Sequence, residues 1–344
     1  MYYPFLKAAK ESLLQRKTDV LSREERDQLL TRVNTNVAAS LANPKSLEKC
    51  LLKMKKNRAP GVDGLSVEHL ISIFYTGNGP KVVKDQLVHE YVILLQKFLT
   101  GNLSSYQAEV FYSLKLAGIP KDSTECRVIM MVGLHSKVAF SLVSSSKLKK
   151  KVQSKAFSKN QAGGKSVGTE CLIHAAQATI IQCPQSDFFS ADACKAYYNL
   201  NRDLALVTLK KEFPEVFNMF LQKYGNNANA FISGMREGVI NLQQSEGGSP
   251  GSPEMSFLYE LSISPFIKNI EALCSSTNAS ITNEGIVMSY IDDFYWAAPF
   301  NKMVEIIEFV QLKGPNYGYN LNMDKCTYLL APAVTLDENE LNRS

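Results

Sequence analysis

The chain has 344 residues, 45% of them hydrophobic and 21% charged, and its 38 Lys and Arg against 33 Asp and Glu leave a formal charge of +5. That length and balance describe a globular chain with core enough for one large domain or two ordinary ones. A mildly basic total is compatible with a polyanionic partner but does not by itself point to one. The seven cysteines never pair as CxxC, and with four scattered histidines they offer no zinc-site spacing. They read as buried free thiols in a reducing compartment. Met1 to Lys7 has no apolar core for a signal peptide, and no run approaches a membrane span, so nucleus or cytoplasm is expected, with no membrane partner.

In chain order, residues 7–42 read as polar helix, with Ser22-Arg23-Glu24-Glu25 fitting a capping box. Residues 46–57 form a short amphipathic helix with Leu47, Leu51 and Met54 on one stripe and Lys45, Lys49, Lys53 and Lys56 on another. Ala59-Pro60-Gly61-Val62-Asp63-Gly64 is a turn. Helices follow over 66–74 and 82–99, the second with Leu87, Tyr91, Leu94 and Phe98 on one face. The period then changes, and residues 110–116 and 126–132 read as two strands joined by a turn around Pro120, Lys121 and Asp122. Lys147, Lys149, Lys150, Lys151, Lys155 and Lys159 crowd one stretch that contains no acid. A helix is expected over 168–182, then a strand through Ser186–Ala191 that leads to Asp192 and a helix to about Lys211. Gly247-Gly248-Ser249-Pro250-Gly251-Ser252-Pro253 follows, with Ser252 as N-cap and Pro253 opening a helix through Leu261. An apolar β segment around Tyr290-Ile291-Asp292-Asp293, a helix over 301–313, a short β element near 317–330 and a frayed polar tail complete the chain. Helices and strands mix without regular alternation, so the expected class is α+β.

Two adjacent carboxylates between apolar runs are costly to hold near a core unless something positive binds them. Asp292 and Asp293 stand in that position, and Asp192, at the end of another apolar strand, supplies a third. Alone, Asp192 reads as a helix N-cap, and an Asp-Asp pair in a hairpin is more often an exposed turn. Together the three suit Mg²⁺, which takes one or two carboxylates plus substrate phosphates. Two such ions about 4 Å apart can activate an attacking hydroxyl and stabilise a leaving pyrophosphate.

The order of the motifs resembles the fingers and palm of reverse transcriptases, most closely those of non-LTR, LINE-like retrotransposons. Six blocks carry the resemblance over roughly residues 50–330: Lys56 to Gly64; the Arg127-Val128-Ile129 strand; Gln161-Ala162-Gly163 through Gly168-Thr169; the Asp192 motif; Gly251-Ser252-Pro253; and Tyr290 to Asp293. A seventh, Gly318-Tyr319-Asn320-Leu321-Asn322-Met323-Asp324-Lys325-Cys326, is similar to the GLxLNxxKC element that closes the palm. The resemblance implies an N-terminal helical extension over 1–44, fingers with part of the palm over 45–185, a palm built on an antiparallel sheet over 186–332, and a disordered tail over 333–344, with the thumb absent or truncated. It implies an RNA-directed DNA polymerase that uses two Mg²⁺ ions, or Mn²⁺ in their place, with an RNA template, a DNA primer and dNTPs as partners. Thumb and endonuclease functions would come from flanking sequence or other proteins.

By the same resemblance Asp192 and Asp292 are direct metal ligands, Asp293 is more peripheral, and the Ala193 carbonyl faces a metal. Tyr197 matches the aromatic gate that collides with a 2′-hydroxyl. Arg127 and Lys121 match positions that grip the triphosphate, where Arg acts bidentately and Lys as a point charge. Lys325 matches the lysine near the leaving pyrophosphate, a general acid. Gly251 lets the backbone approach the incoming nucleotide or template base, and Arg202 orients its motif by hydrogen bonds. Lys53, Lys56, Arg58, Lys149, Lys150 and Lys151 fit template–primer phosphates. The chain departs from the family where Pro250 replaces the usual Gln and Val128 the usual Pro. A truncated or domesticated relative that binds nucleic acid without polymerising is the alternative expectation. An unrelated two-metal nuclease would share the carboxylates but leave the fingers motifs unexplained.

Overall fold

The computed structural model describes residues 21–34, 37–120, 126–163, 165, 167–235, 238–274 and 286–331. The first twenty residues, Lys121 and the tail from 332, each part of an expectation above, lie outside these. The described part is mixed α+β, and among the described residues no helix is long and apolar enough to cross a membrane. In chain order the helices are α1 (Arg23–Leu29), α2 (Pro44–Lys53), α3 (Val67–Ile71), α4 (Lys81–Leu99) and α5 (Ser105–Phe111). Strands β1 (Leu114–Pro120) and β2 (Cys126–Val132) precede α6 (Leu134–Ser145), α7 (Lys147–Ala156), α8 (Gly168–Gln182) and β3 (Asp187–Ala191). Next come α9 (Arg202–Glu212), α10 (Pro214–Tyr224), β4 (Ala228–Met235), β5 (Gly238–Gln244) and α11 (Met255–Cys274). The described part ends with β6 (Ile286–Tyr290), β7 (Asp293–Ala298), α12 (Phe300–Lys313) and β8 (Thr327–Leu329).

The chain forms two compact units, each assembled from separate stretches: Met1–Ala156 with Tyr197–Leu261, and Phe157–Ala196 with Ser262–Ser344. The division is therefore not a single cut in the sequence. The reason is strand pairing, because β4 runs parallel beside β1 and draws the later stretch into the first unit. That unit holds a sheet of order β2-β1-β4-β5, whose buried face includes Leu114, Leu116, Val128, Met130, Ala230 and Ile232. The second unit holds a sheet of order β6-β7-β3-β8, with every pairing antiparallel. Phe189 and Trp296 stack in its core at 5.0 Å between ring centroids.

The Ser22 capping box and the helix over 168–182 are present as expected. Four local expectations are corrected. Val110 and Phe111 are helical, because Ser104 and Gln107 close a capping box that begins α5, so the strand starts only at Leu114. On α4 the buried stripe is Val88, Tyr91, Leu95 and Phe98, while Leu87 is exposed. After Asp192 a 3₁₀ turn over Ala196–Asn199 intervenes, and Asn201 caps a separate α9. Ser252 does not cap a helix; its hydroxyl bonds Glu254 and Lys223 instead, and α11 begins at Met255. All seven cysteines are free, but of them only Cys50 and Cys274 are buried.

Candidate active site

The second unit brings Asp192, Ala193, Asp292, Asp293 and Lys325 to one end of its sheet. β3 and β7 run antiparallel with Ala191 opposite Phe294, so the next residue along β3, Asp192, falls beside Asp293. β6 and β7 close over Tyr290 and Asp293, which leaves Ile291 and Asp292 as a two-residue hairpin loop. Such a loop requires positive φ, usually supplied by Gly or Asn. Ile291 adopts φ +60° with a β-branched side chain, an arrangement that costs on the order of 1–3 kcal/mol and persists where the surroundings impose it. Lys195, three residues after Asp192, also has positive φ, at +48°.

The glycine-containing block at 161–169 supports this hairpin from the side. Ala162 donates its N–H to the Ser289 carbonyl at 2.8 Å, and Ser289 donates to Asn160 at 3.1 Å. Gly168 lies so close to the Ala162 carbonyl that a Cβ would stand 2.1 Å from its oxygen. The Gly318–Cys326 block closes the other side. Asn322 donates its backbone N–H to the Asp192 carbonyl at 2.9 Å and its side-chain amide to Asp192 Oδ2 at 3.3 Å. Lys325 Nζ stands 3.8 Å from the same oxygen, with both side chains partly open to solvent.

Electrostatics mark the site as short of positive charge. Burial first, then the charge of Asp192, holds the Asp292 carboxyl above the usual carboxylate range. Asp293 is raised by burial and then by the charges of Asp292 and Asp192. Among the described residues no trio of carboxylate, thiol or imidazole groups is already arranged as a metal cage. A Mg²⁺ ion does not require one, since phosphate oxygens and waters complete its shell. The carboxylates fit such an ion by their chemistry, being hard oxygen donors that repel one another.

The remaining predicted residues belong to the first unit, where three of them gather around one loop. Gly251 has φ +98°, a conformation that favours glycine, and its Cβ position lies 3.2 Å from the Met130 carbonyl on β2. Tyr197 accepts the Gly248 N–H at 2.7 Å, and Tyr198 donates its hydroxyl to the Val128 carbonyl. Arg127, on β2, is exposed and near enough to Tyr198 for its charge to act on that phenol. Arg202 is buried and donates to the Gly247 carbonyl at 2.7 Å and the Asn226 carbonyl at 3.1 Å, so its bonds brace this loop rather than its own motif.

Lys53 and Arg58 line a cavity of about 1570 Å³ together with Lys49 and Lys55, over a floor that includes Ile129, Met130 and Gly251. Lys56 is exposed beside them. Lys149, Lys150 and Lys151 fall on α7, where Lys150 and Lys151 are exposed and Lys151 pairs with Glu215 at 3.1 Å.

No protein-family model and no curated protein matches the chain.

Two contributors were not singled out from the sequence. Asn322 was legible only as part of a Leu-Asn pair within a longer motif. Asp187 is buried at the start of β3, where its two carboxylate oxygens take the Tyr328 hydroxyl and the Ala331 N–H. A single acid opening an apolar strand gives no hint of that role.

Proposed function

We propose that the chain is an RNA-directed DNA polymerase domain of the reverse-transcriptase type, which transfers a nucleotide from a dNTP to a primer 3′-hydroxyl along an RNA template. The observation that carries this reading is the β3–β7 register, which sets Asp192 beside Asp293 and next to the strained loop that holds Asp292. On this reading the second sheet is the palm, and the β1–β2 hairpin belongs to the fingers.

Asp192 and Asp292 would hold divalent ions, with Asp293 and the Ala193 carbonyl at their edge. Two bound ions supply activation of the attacking hydroxyl and charge stabilisation for the leaving pyrophosphate. The chain's own residues do the rest. Lys325 hands a proton to the pyrophosphate, Arg127 and Lys121 grip the triphosphate, and Tyr197 excludes a 2′-hydroxyl. Gly251 lets the backbone come close to the base pair, and the basic residues of α2, the turn after it and α7 follow template and primer phosphates.

The test is Mg²⁺-dependent primer extension on an RNA template. Extension by the wild type that Asp292→Asn abolishes is the expected result, and extension that survives the substitution undiminished overturns the site. Pro250, in the place of the family's Gln, favours a second reading in which the chain binds an RNA–DNA duplex without polymerising. Salt-sensitive duplex binding with no incorporation would select that reading.

A further inference from the structure

The contacts around Tyr197 point to a further specificity-determining residue: we infer that Ser256 is a positioning residue that fixes the Tyr197 ring and thereby sets the preference for deoxyribonucleotides over ribonucleotides. This rests on the polymerase reading of Tyr197 given above. A ring excludes a hydroxyl only if it cannot swing aside, and a half-buried tyrosine on a 3₁₀ turn has two side-chain torsions free to move. Here two contacts hold the ring and a third holds its backbone. The Tyr197 hydroxyl lies 3.1 Å from Ser256 Oγ. Its ring meets the buried Tyr259 edge-on, with centroids 5.7 Å apart and planes at 82°. Its carbonyl takes the Gly248 N–H at 2.7 Å.

Ser256 and Tyr259 stand one turn apart at the start of α11, so one helix face presents both the hydroxyl and the ring. The backbone of the gate is thus tied to the glycine-rich loop, and its tip to the helix that follows that loop. The Ser256 bond is the one contact of the three that can be removed without opening the core. Ser256 is only half-buried, so its loss leaves the phenol within reach of water rather than stranded. A hydrogen bond of this kind changes an equilibrium by about twofold to tenfold, and the change should fall on sugar discrimination.

The experiment is single-nucleotide incorporation on an RNA template with a DNA primer, comparing kcat/KM for dATP and ATP. Ser256→Ala should lower the deoxy-to-ribo ratio by about twofold to tenfold. Tyr197→Phe removes the other half of the same bond and should lower it equally. The double variant should fall no further than either single one, and Ser256→Thr should restore the wild-type ratio. An unchanged ratio in Ser256→Ala overturns the inference, as does an equal loss of kcat for both nucleotides or additivity in the double variant. A second measurement, equilibrium binding of dATP and ATP to the primed template complex with Ca²⁺ in place of Mg²⁺, separates this failure from failure of the polymerase reading. A wild-type binding preference that Ser256→Ala relaxes supports the inference even if no extension occurs and the polymerase reading is lost. The absence of any preference in the wild type overturns the inference, whereas the polymerase reading stands or falls on primer extension.

Discussion

The two units treat charge in opposite ways. The second gathers Asp192, Asp292 and Asp293 at one end of its sheet, with Lys325 near one of them, and leaves two carboxyls raised by burial and by neighbouring negative charge. The first buries an opposite-charge pair, Lys223 with Glu254, in its interior. Lys223 Nζ meets Glu254 at 2.5 Å and Ser252 at 2.9 Å, Tyr224 donates to Glu254 at 2.7 Å, and the ammonium lies over the Phe140 ring at 4.6 Å. Charge paired inside a protein serves the fold; like charge assembled at one end of a sheet is a place for a ligand to complete. Substitutions in the two places should therefore fail differently.

The largest effect belongs to the carboxylate cluster. On the proposed polymerase reading, Asp292→Asn should reduce the rate of primer extension by at least about 1000-fold, since a carboxylate that holds a metal supports several kcal/mol of transition-state stabilisation. The same variant should unfold at no lower a urea concentration than the wild type, because it removes a repelled charge. Lys223→Met should do the reverse. It leaves Glu254 buried without its cation, and Glu254 Oε2 has no hydrogen-bond partner among the described residues. A loss of about 3–5 kcal/mol in urea unfolding is expected, with the Lys223→Met, Glu254→Leu pair recovering most of it. Equal stability in the single variant would erase the contrast between the units.

The same contrast explains what could be read from the residues in order. The Asp-Asp hairpin is legible because apolar alternation and a two-residue loop are local features, and the strand that ends at Asp192 is legible for the same reason. The helix α5 was missed because the capping pair Ser104 and Gln107 outweighs the β preference of Val110 and Phe111. The role of Ser252 was missed because its partners, Lys223 and Glu254, include one 29 residues away in the chain. The division into units followed from β1 pairing with β4 across more than a hundred residues. Local chemistry announces itself in sequence; compensation between distant charges does not.

A smaller effect should appear with pH. His135 lies between Tyr91 and Phe111, bonded through Nδ1 to the Tyr91 hydroxyl at 3.0 Å. Burial lowers its pKa below the ordinary 6.5, and the charge of Asp63 offsets that only in part. The unfolded chain thus takes up the proton first as pH falls. The stability contributed by neutral His135 is complete above pH 6.5 and is lost as pH falls through the folded value. The unfolding free energy should decline below pH 6.5 with a slope of at most about 1.4 kcal/mol per pH unit from this group. His135→Gln should flatten that part of the profile, measured by urea titration between about pH 5.5 and 7.5. An unaltered slope would assign the dependence to other groups.

The smallest effects belong to the exposed cations. Lys53 and Arg58 line the cavity beside β2 as solvated groups with no partner acid among the described residues, whereas Lys151 is held by Glu215. A phosphate bound at Lys53 or Arg58 releases a counterion without breaking an existing pair, whereas one bound at Lys151 must compete with a carboxylate. Lys53→Ala and Arg58→Ala should each reduce the slope of log K against log salt for an RNA–DNA duplex by about 1, and weaken binding alike for all sequences. Lys151→Ala should change that slope less, and its stability by no more than about 1 kcal/mol, as for other exposed pairs. Fluorescence titrations at several salt concentrations measure both. If the three variants shift the slope equally, the Lys151–Glu215 pair has no hold on its lysine, and the phosphates track α7 as closely as they track the cavity.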